Sequence, residues 1–405
     1  MCCAIRRYPE LLASPDLPAI YMLDSSTILA FRVRGRLVLA AHPRCSPTPV
    51  PASLDRPQPQ GVHSGLKESD TYVMVMEVFA ANHSSYPKIG DAPDQQLHRI
   101  AYARWERGEI SDEDFERIQQ AVIRGVVEEQ ERAGLDVVTD GLIRWYDPVS
   151  HLAGAMDGCE INGLLRFFDT NFYFRQPVVK GRIKRKRPVL LEEFVFVRGI
   201  TGRRIKVVMM GPYTLGRLSI NRTEADFEEV IRWFAEVLAE EAEDLSRAGA
   251  EFIQVEEPAI LRNPSDFEIF REAVEKVARG AGVKNVVLTT YFGDAARIYE
   301  RLLDVEVGGL GFDFTYSPKL LDTIAELGCE KDLWLGLIDG RNTRMEREEN
   351  VLSVMRKALS KADSKRVFVM PSCGLGEYLP RRVAFEKLVV VSRVVERWRH
   401  EHGQA

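Results

Sequence analysis

Paired cysteines are missing from this chain. Its six cysteines, Cys2, Cys3, Cys45, Cys159, Cys329 and Cys373, are scattered without a CxxC or a regular spacing. That pattern argues against a zinc ribbon or a disulfide framework and for reduced thiols. No apolar stretch has the length needed to cross a bilayer. The first residues, in which Arg6 and Arg7 are followed by Pro9, Pro15 and Pro18, do not read as a signal peptide. A cytoplasmic protein with no membrane partner is expected. An excess of one charge is also lacking: 55 Lys and Arg stand against 60 Asp and Glu, a formal net charge of -5. Such a balance gives no field to gather nucleic acid. What is present is a 45% share of hydrophobic side chains, enough for a large core, so small molecules and other proteins are the expected partners.

Residues 41–70 are crowded with Pro, Ser and Gln, which offer little to bury and many restricted X-Pro dipeptides. Residues 1–72 are therefore read as a poorly ordered amino-terminal extension and linker, with Met74 close to the start of the folded part. From residue 73 to 405 one unit repeats: an apolar run, a polar or glycine-containing corner, then an amphipathic helix. Eight runs occur, beginning at Val73, Leu135, Lys206, Ala250, Asn285, Gly309, Leu333 and Val367. Eight such units predict an α/β fold of the (β/α)8 TIM-barrel type. An open doubly wound sheet would need a phosphate-loop glycine fingerprint, which is absent. Between the third and fourth runs, Phe227, Val230, Ile231, Phe234, Leu238 and Leu245 mark one helix face, with Thr223 as the expected N-cap and Gly249 as the stop. Residues 158–203 break the rhythm with alternating apolar and polar groups, FFDTNFYF and VLLEEFVFVRG, around KGRIKRKR, and read as an antiparallel hairpin inserted after the second strand. The cationic run itself reads first as a solvated hairpin tip and second as an anion contact.

In a barrel of this type the carboxyl ends of the strands converge on one face, where function concentrates. The strand ends here carry His83, Ser84 and Ser85; Asp140; Glu256 and Glu257; Tyr291; Asp313; Asp339 with Arg341 and Asn342; and Ser372 with Cys373. Any one of these is, on its own, more often a satisfied hydrogen-bonding residue than a catalyst; their succession around one face makes them candidates. Adjacent strand residues point to opposite sides, so only one of Glu256 and Glu257 is expected at the mouth and the other to brace a loop. His83 reads either as a base or as a structural residue. Cys373, in PSCGLG, reads either as a ligand or as a small buried residue.

These strings, in order and spacing, resemble the cobalamin-independent methionine synthase family from Phe79 to Arg393. NHSSYPK, VVTDG, GPYTLGRLS, IQVEEPAI and PSCGLGEYLPRRVAFEKL carry the likeness. The resemblance implies methyl transfer from a methyltetrahydrofolate to the sulfur of homocysteine held on zinc, which lowers a thiol pKa. It implies Asp339 and Arg341 as catalytic residues, with Ser84, Ser85, Asp140, Glu256, Glu257, Tyr291 and Asn342 around the substrates. Cys373 and Asp313 match two metal-ligand positions. The His-x-Cys expected at the fifth strand is replaced by Thr289-Thr290-Tyr291, the glutamate expected after the second strand by Leu142, and the histidine expected after the seventh by Arg341. Two donors make an incomplete zinc set. TTYFG, RWYDP and DGRNTR are similar to the amino-terminal barrel of the long, two-barrel members, which lacks the metal. A separate zinc-bearing homologous barrel is then the expected partner. Two alternatives stand beside methyl transfer: a non-catalytic folate-binding or scaffolding subunit, and a uroporphyrinogen decarboxylase-like barrel with another substrate.

Overall fold

The computed structural model describes residues 76–317 and 319–404, together with the backbone of three earlier strands. Two compact units divide the chain, Met1–Thr71 and Tyr72–Ala405. In the first, strands β1 (Tyr21–Met22), β2 (Ile28–Val33) and β3 (Arg36–Ala41) form an antiparallel sheet, with Ile28 opposite Ala41 and Val33 opposite Arg36. The Pro-rich stretch assigned as a linker lies, past Ala41, outside the described residues.

The second unit is built from β4 (Glu77–Ala80), β5 (Val137–Val138), a hairpin of β6 (Met156–Arg166) and β7 (Tyr173–Arg185), β8 (Arg204–Met210) and the short β9 (Ile220–Asn221). It continues through β10 (Phe252–Glu256), β11 (Val286–Thr290), β12 (Gly309–Asp313), β13 (Asp332–Ile338) and β14 (Arg366–Pro371). Eight of these lie in one sheet, in the order β4-β14-β13-β12-β11-β10-β8-β5, with parallel pairings throughout. The ring closes between its first and last strands: Ala81 bridges Val137, the Asn82 amide donates to the Val137 carbonyl at 3.2 Å, and the Asp136 amide to the Ala80 carbonyl at 2.8 Å. This is the eight-stranded barrel that the repeat predicts.

Helices α1 (Leu97–Glu106) and α2 (Asp112–Arg132) follow β4, and α3 (Ser150–Ala153) and α4 (Leu190–Arg198) flank the hairpin. Then come α5 (Pro212–Leu218), α6 (Phe227–Arg247), α7 (Phe267–Ala281), α8 (Tyr299–Leu303), α9 (Leu320–Leu327), α10 (Glu348–Ala358) and α11 (Arg381–Glu401). None of the helices among the described residues is long and apolar enough to cross a membrane. In α6 the predicted face is buried at Val230, Ile231, Phe234, Leu238 and Leu245. Its N-cap is Asp226 rather than Thr223: the Asp226 carboxylate accepts the Glu229 amide at 2.8 Å, while Thr223 is occupied in a turn with Asn221. Gly249, at φ +92°, ends the turn that follows.

Two sequence expectations for residues 158–203 are corrected. The hairpin is antiparallel as expected, but VLLEEFVFV is helical, not a strand, because Leu190, Phe194 and Val197 recur at helical spacing and are buried. Its first amides are held from a distance, since one Glu241 oxygen accepts from Val189 at 2.9 Å and Leu190 at 2.7 Å. KGRIKR is not the hairpin tip but the end of β7, beside the start of β6. There Arg185 pairs with Glu241 and Asp244 of α6, each at 2.6 Å, and Lys180 pairs with Glu160. The tip is the aromatic segment between Phe167 and Phe172.

Side chains that alternate along the strands fill the barrel. Trp334 stacks on Phe368 with centroids 3.8 Å apart, and Phe252 meets both edge-on. Gly309 makes room: a β-carbon there would approach the Trp334 indole to 3.2 Å. Above this aromatic layer Lys206 is wholly enclosed, its Nζ 4.5 Å from the Trp334 ring centre and donating to Gln254 Oε1 at 2.6 Å. Burial pushes its ammonium well below the ordinary lysine range.

Outside the ring, α4 presses Glu193 against the loop after β5. Glu193 accepts from Trp145 Nε1 at 3.0 Å and lies 3.0 Å from His151 Nε2. Burial pushes the nearby Asp140 carboxyl up to about 7, with the Glu193 charge adding to it. The folded state therefore binds the Asp140 proton more tightly than the unfolded chain, and the stability this contributes is lost as pH rises from about 4 to about 7. Asp140→Asn keeps the acceptor that takes the Leu142 amide and removes the titration. Its thermal midpoint should fall less than the parent's between pH 5 and pH 8; equal losses would remove Asp140 as the source.

Because the ring closes with residues from Glu77 onward, a chain starting at Met74 should keep the barrel. Its far-ultraviolet circular dichroism and thermal midpoint should stay within a few degrees of full length. Insolubility or a much lower midpoint would place residues 1–72 in the barrel's folding unit.

Candidate active site

The carboxyl ends of the strands open on a cavity of about 350 Å³. Ser84 and Ser85 reach it from the loop after β4, Glu256 from the end of β10, Tyr291 from just beyond β11, and Cys373 from just beyond β14. Five sequence-singled residues are thus brought together.

At the floor, Glu256 is the common partner. Strand β10 sends Phe252, Gln254 and Glu256 inward at every second position. Gln254 donates from Nε2 to Glu256 Oε1 at 2.9 Å, and the Tyr291 phenol donates to Glu256 Oε2 at 2.7 Å. His83 Nδ1 lies 3.6 Å from Glu256 and 2.9 Å from the Ser84 hydroxyl. Burial pushes the Glu256 carboxyl up, countered in part by Tyr291 and Gln254. It also pushes the Tyr291 phenol up and, helped by Lys206, the His83 imidazole well down. His83 lies behind the floor, and its Nε2 has no hydrogen-bond partner among the described residues.

Glu257 faces the other way and braces α5. It accepts from the amides of Tyr213 at 2.9 Å and Thr214 at 2.8 Å, and from the Thr214 hydroxyl at 2.6 Å. Gly211 permits this approach, since a β-carbon there would stand 2.3 Å from the carboxyl group. The structure thus moves Glu257 from the substrate set to the frame. Asp140 lies beside the mouth, walled from it by Leu142, whose φ is +53°. Asp339 accepts the Arg341 amide at 2.9 Å, and Asn342 accepts the Arg344 amide at 2.9 Å. Neither lines the mouth cavity; both border a separate surface cleft. Arg341 is held at the rim over the rings of Tyr316, 4.0 Å from its centre, and Phe292, 5.0 Å. Its Nη1 donates to the Tyr316 hydroxyl at 2.6 Å.

The residues at the metal positions do not fit zinc. Asp313 Oδ1 is taken by the Thr315 amide and hydroxyl, at 2.8 and 2.6 Å, and by the Tyr316 amide at 3.2 Å. The Cys373 thiol is buried, and burial together with Asp313 pushes it well above the ordinary thiol range. Tyr291 is committed to Glu256. Among the described residues no group of three or more His, Cys, Asp and Glu could hold a metal ion, whereas a zinc site takes at least three protein donors.

Several lining residues carried no assignment in the sequence. Glu377 accepts the Ser85 hydroxyl at 2.6 Å, and half-buried Lys88 is pushed down to about 8, chiefly by burial. Both lie inside the quoted motifs, NHSSYPK and GLGEY, but nothing in their spacing shows that the two loops meet. Trp145, Phe167, Phe172 and Phe292 supply the apolar wall. The aromatic tip of the hairpin was legible as composition and not as a wall.

Residues 86–396 match the family model described as "Cobalamin-independent synthase, Catalytic domain". The chain is 32% identical over 306 residues to a methionine synthase of Sulfurisphaera tokodaii, covering 74% of this chain and 88% of that protein. It is 30% identical over 315 residues to one from Pyrococcus abyssi, covering 77% and 92%. A solved B12-independent methionine synthase from Shewanella sp. W3-18-1, in complex with selenomethionine, shares the fold with a TM-score of 0.67 at 21% identity, over 80% of this chain and 99% of that one. The matches favour the synthase branch over a decarboxylase-like barrel. With its closed ring, its ordered strand ends and a match over most of its length, this chain belongs to the cobalamin-independent methionine synthase family, as a catalytic-domain barrel.

Proposed function

We propose that this barrel works in methyl transfer of the methionine synthase type, from a methyltetrahydropteroyl(poly)glutamate to the sulfur of homocysteine, beside a zinc-bearing homologous barrel that supplies the metal. The observation that carries the reading is the Glu256 floor. A buried carboxyl group held by Tyr291 and Gln254, and open to the cavity, suits the amine of an amino acid or a ring nitrogen of a pterin. Ser84 and Ser85 add hydroxyls beside it, and the aromatic wall suits a flat ring. The methyl leaves the donor nitrogen as the carbon–sulfur bond forms, and that nitrogen then takes a proton. In this chain Tyr291, whose phenol donates to Glu256, is the proton-bearing side chain at the floor, and Arg341 at the rim can face the donor's carboxylates.

The missing zinc donors favour one second reading, a subunit that binds the folate without carrying out chemistry. The two separate on one measurement. Adding the zinc-bearing homologue to this chain should raise methionine formation above that of the homologue alone, and Glu256→Gln should remove the increase even where methyltetrahydrofolate and homocysteine saturate the variant. An equal increase with Glu256→Gln would support the non-catalytic reading.

Binding gives a direct check. By isothermal titration, Glu256→Gln should weaken methyltetrahydrofolate or homocysteine by roughly tenfold, the size of a lost buried hydrogen bond, with little loss of thermal stability. Unchanged affinity for both would sink the site assignment.

Metal analysis gives another check. The purified chain should carry far less than one zinc per molecule and lose it to mild chelation. Stoichiometric zinc that resists chelation and disappears in Cys373→Ser would reveal a rearranged ligand set and make the chain a self-sufficient enzyme.

A further inference from the structure

Lys387 lies in α11, outside the ring of strands, and none of its side chain is exposed. A buried ammonium persists only where acceptors meet it. Among the described residues those acceptors all come from one loop, residues 339–347, which joins β13 to α10 without helix or strand of its own. Lys387 Nζ donates to the Arg344 carbonyl at 2.8 Å and to both Glu346 oxygens at 2.9 Å.

From Glu346 the bonds run on toward the mouth. Glu346 Oε1 also accepts the Asp339 amide at 3.0 Å, and Asp339 Oδ1 accepts the Arg341 amide at 2.9 Å. Between them Gly340 is pressed against the end of β14. Its amide donates to the Ser372 hydroxyl at 3.1 Å, and a β-carbon there would stand 2.8 Å from the Cys373 sulfur. The chain of bonds ends at Arg341, whose guanidinium lies across Tyr316 and Phe292. Cys373 and Phe292 both line the mouth cavity, so the loop delivers its one rim cation beside that wall.

The geometry points to Lys387 as a positioning residue: without meeting substrate, it holds Glu346, and through Glu346 and Asp339 it sets Arg341 at the rim of the mouth. This role rests on the reading of Arg341 as the group that faces the donor's carboxylates. A buried ion pair seldom adds much to stability over apolar side chains of similar volume. What it supplies is a fixed direction for a loop that has no regular structure to give it one, as the residues behind a site do for those that touch the ligand.

Two variants of the full chain test it. Lys387→Met removes the ammonium, and Glu346, which keeps part of its surface in water, is then free to turn outward. Lys387→Met combined with Glu346→Leu replaces the pair by apolar side chains, a change that buried ion pairs commonly tolerate. In both, hydrogen exchange at the amides of Asp339, Gly340 and Arg341 should rise about fivefold or more while α6 exchanges as in the parent. By calorimetry both should bind methyltetrahydrofolate about fivefold or more weakly and homocysteine as the parent does. Added to Arg341→Met, Lys387→Met should cost no further affinity, because the two act through one contact.

Exchange at the parent's level in either folded variant would overturn the inference. So would an equal loss for both ligands, or a full further loss on top of Arg341→Met, since either marks a residue that only holds the fold. Raised exchange with the parent's affinity for methyltetrahydrofolate in Arg341→Met and in both variants would support the tether and remove the donor's carboxylates as the target of Arg341. If the parent bound no methyltetrahydrofolate, the folate reading would fall, and exchange would decide the tether by itself.

Discussion

The site depends on a lysine that the barrel has closed over. Lys206 has no route to water, and a lone ammonium in such a place is strongly disfavoured. Among the described residues its hydrogen-bond partners are Gln254 Oε1 and, more weakly, the Met370 sulfur at 3.8 Å. Gln254 is thereby held with its carbonyl down toward the amine and its amide nitrogen up, where it donates to Glu256 and to the His83 carbonyl. The Glu256 carboxyl is oriented before any ligand arrives. Burial drives the amine down and the carboxyl up, so the column tends toward neutrality at both ends instead of an exposed charge pair. Preorganisation of this kind lets a ligand's amine or ring nitrogen find its acceptor without a cost of rearrangement.

The same column accounts for the exchange at the fifth barrel strand. Where the family resemblance implies an imidazole and a thiolate, the chain has Thr289 and Tyr291. Tyr291 completes the oxygen pair of Glu256, and Thr289 packs against Gly311, where a β-carbon would stand 2.6 Å from the threonine hydroxyl. Tyr291 makes a hydrogen-bonded floor out of a position that would otherwise face a metal, while the Thr289 hydroxyl has no hydrogen-bond partner among the described residues. Cys373 then has nothing to make it a thiolate, and burial keeps it a thiol. Under the proposal that another barrel supplies the metal, this one supplies the ligand-shaped pocket.

Strands and their order were legible because each alternates or stays apolar over a short run between turn residues, which has few other structural readings. Parity alone showed that only one of Glu256 and Glu257 could face the mouth, and not which one. VLLEEFVFV was not legible, because its apolar residues suit both a period of two and a period of 3.6. The deciding contact is tertiary, a Glu241 oxygen from α6 that collects the first amides of α4. Thr223 and Asp226 are equally good caps on paper; the turn around Asn221 used the threonine first. The pairing of Ser85 with Glu377 joins residues 292 apart in sequence, and no local pattern encodes it. The cluster of Tyr102, Trp105 and Phe115 was hidden for a related reason: the rings belong to α1 and α2 and meet only when those helices pack together.

Two acids that the sequence offers as ligand groups serve the mouth in another way. Leu142 and Phe292 both line it, and both have positive φ, at +53° and +62°. Side chains other than glycine, asparagine and aspartate seldom adopt that region, which costs of order 1–2 kcal/mol per residue. Each strained residue has its amide held by one of these acids: Leu142 by Asp140 at 3.1 Å, and Phe292 by Asp313 at 3.4 Å. The two amides are spaced around the barrel mouth, one after the second strand and the other after the fifth. Strain of this kind persists only where the surroundings over-determine it, and here it turns an isobutyl group and a phenyl ring into the cavity. Asp140 and Asp313 thus shape the apolar side of the pocket through the backbone, while Glu256 alone among the strand-end acids presents its carboxyl group to the space where a substrate would lie.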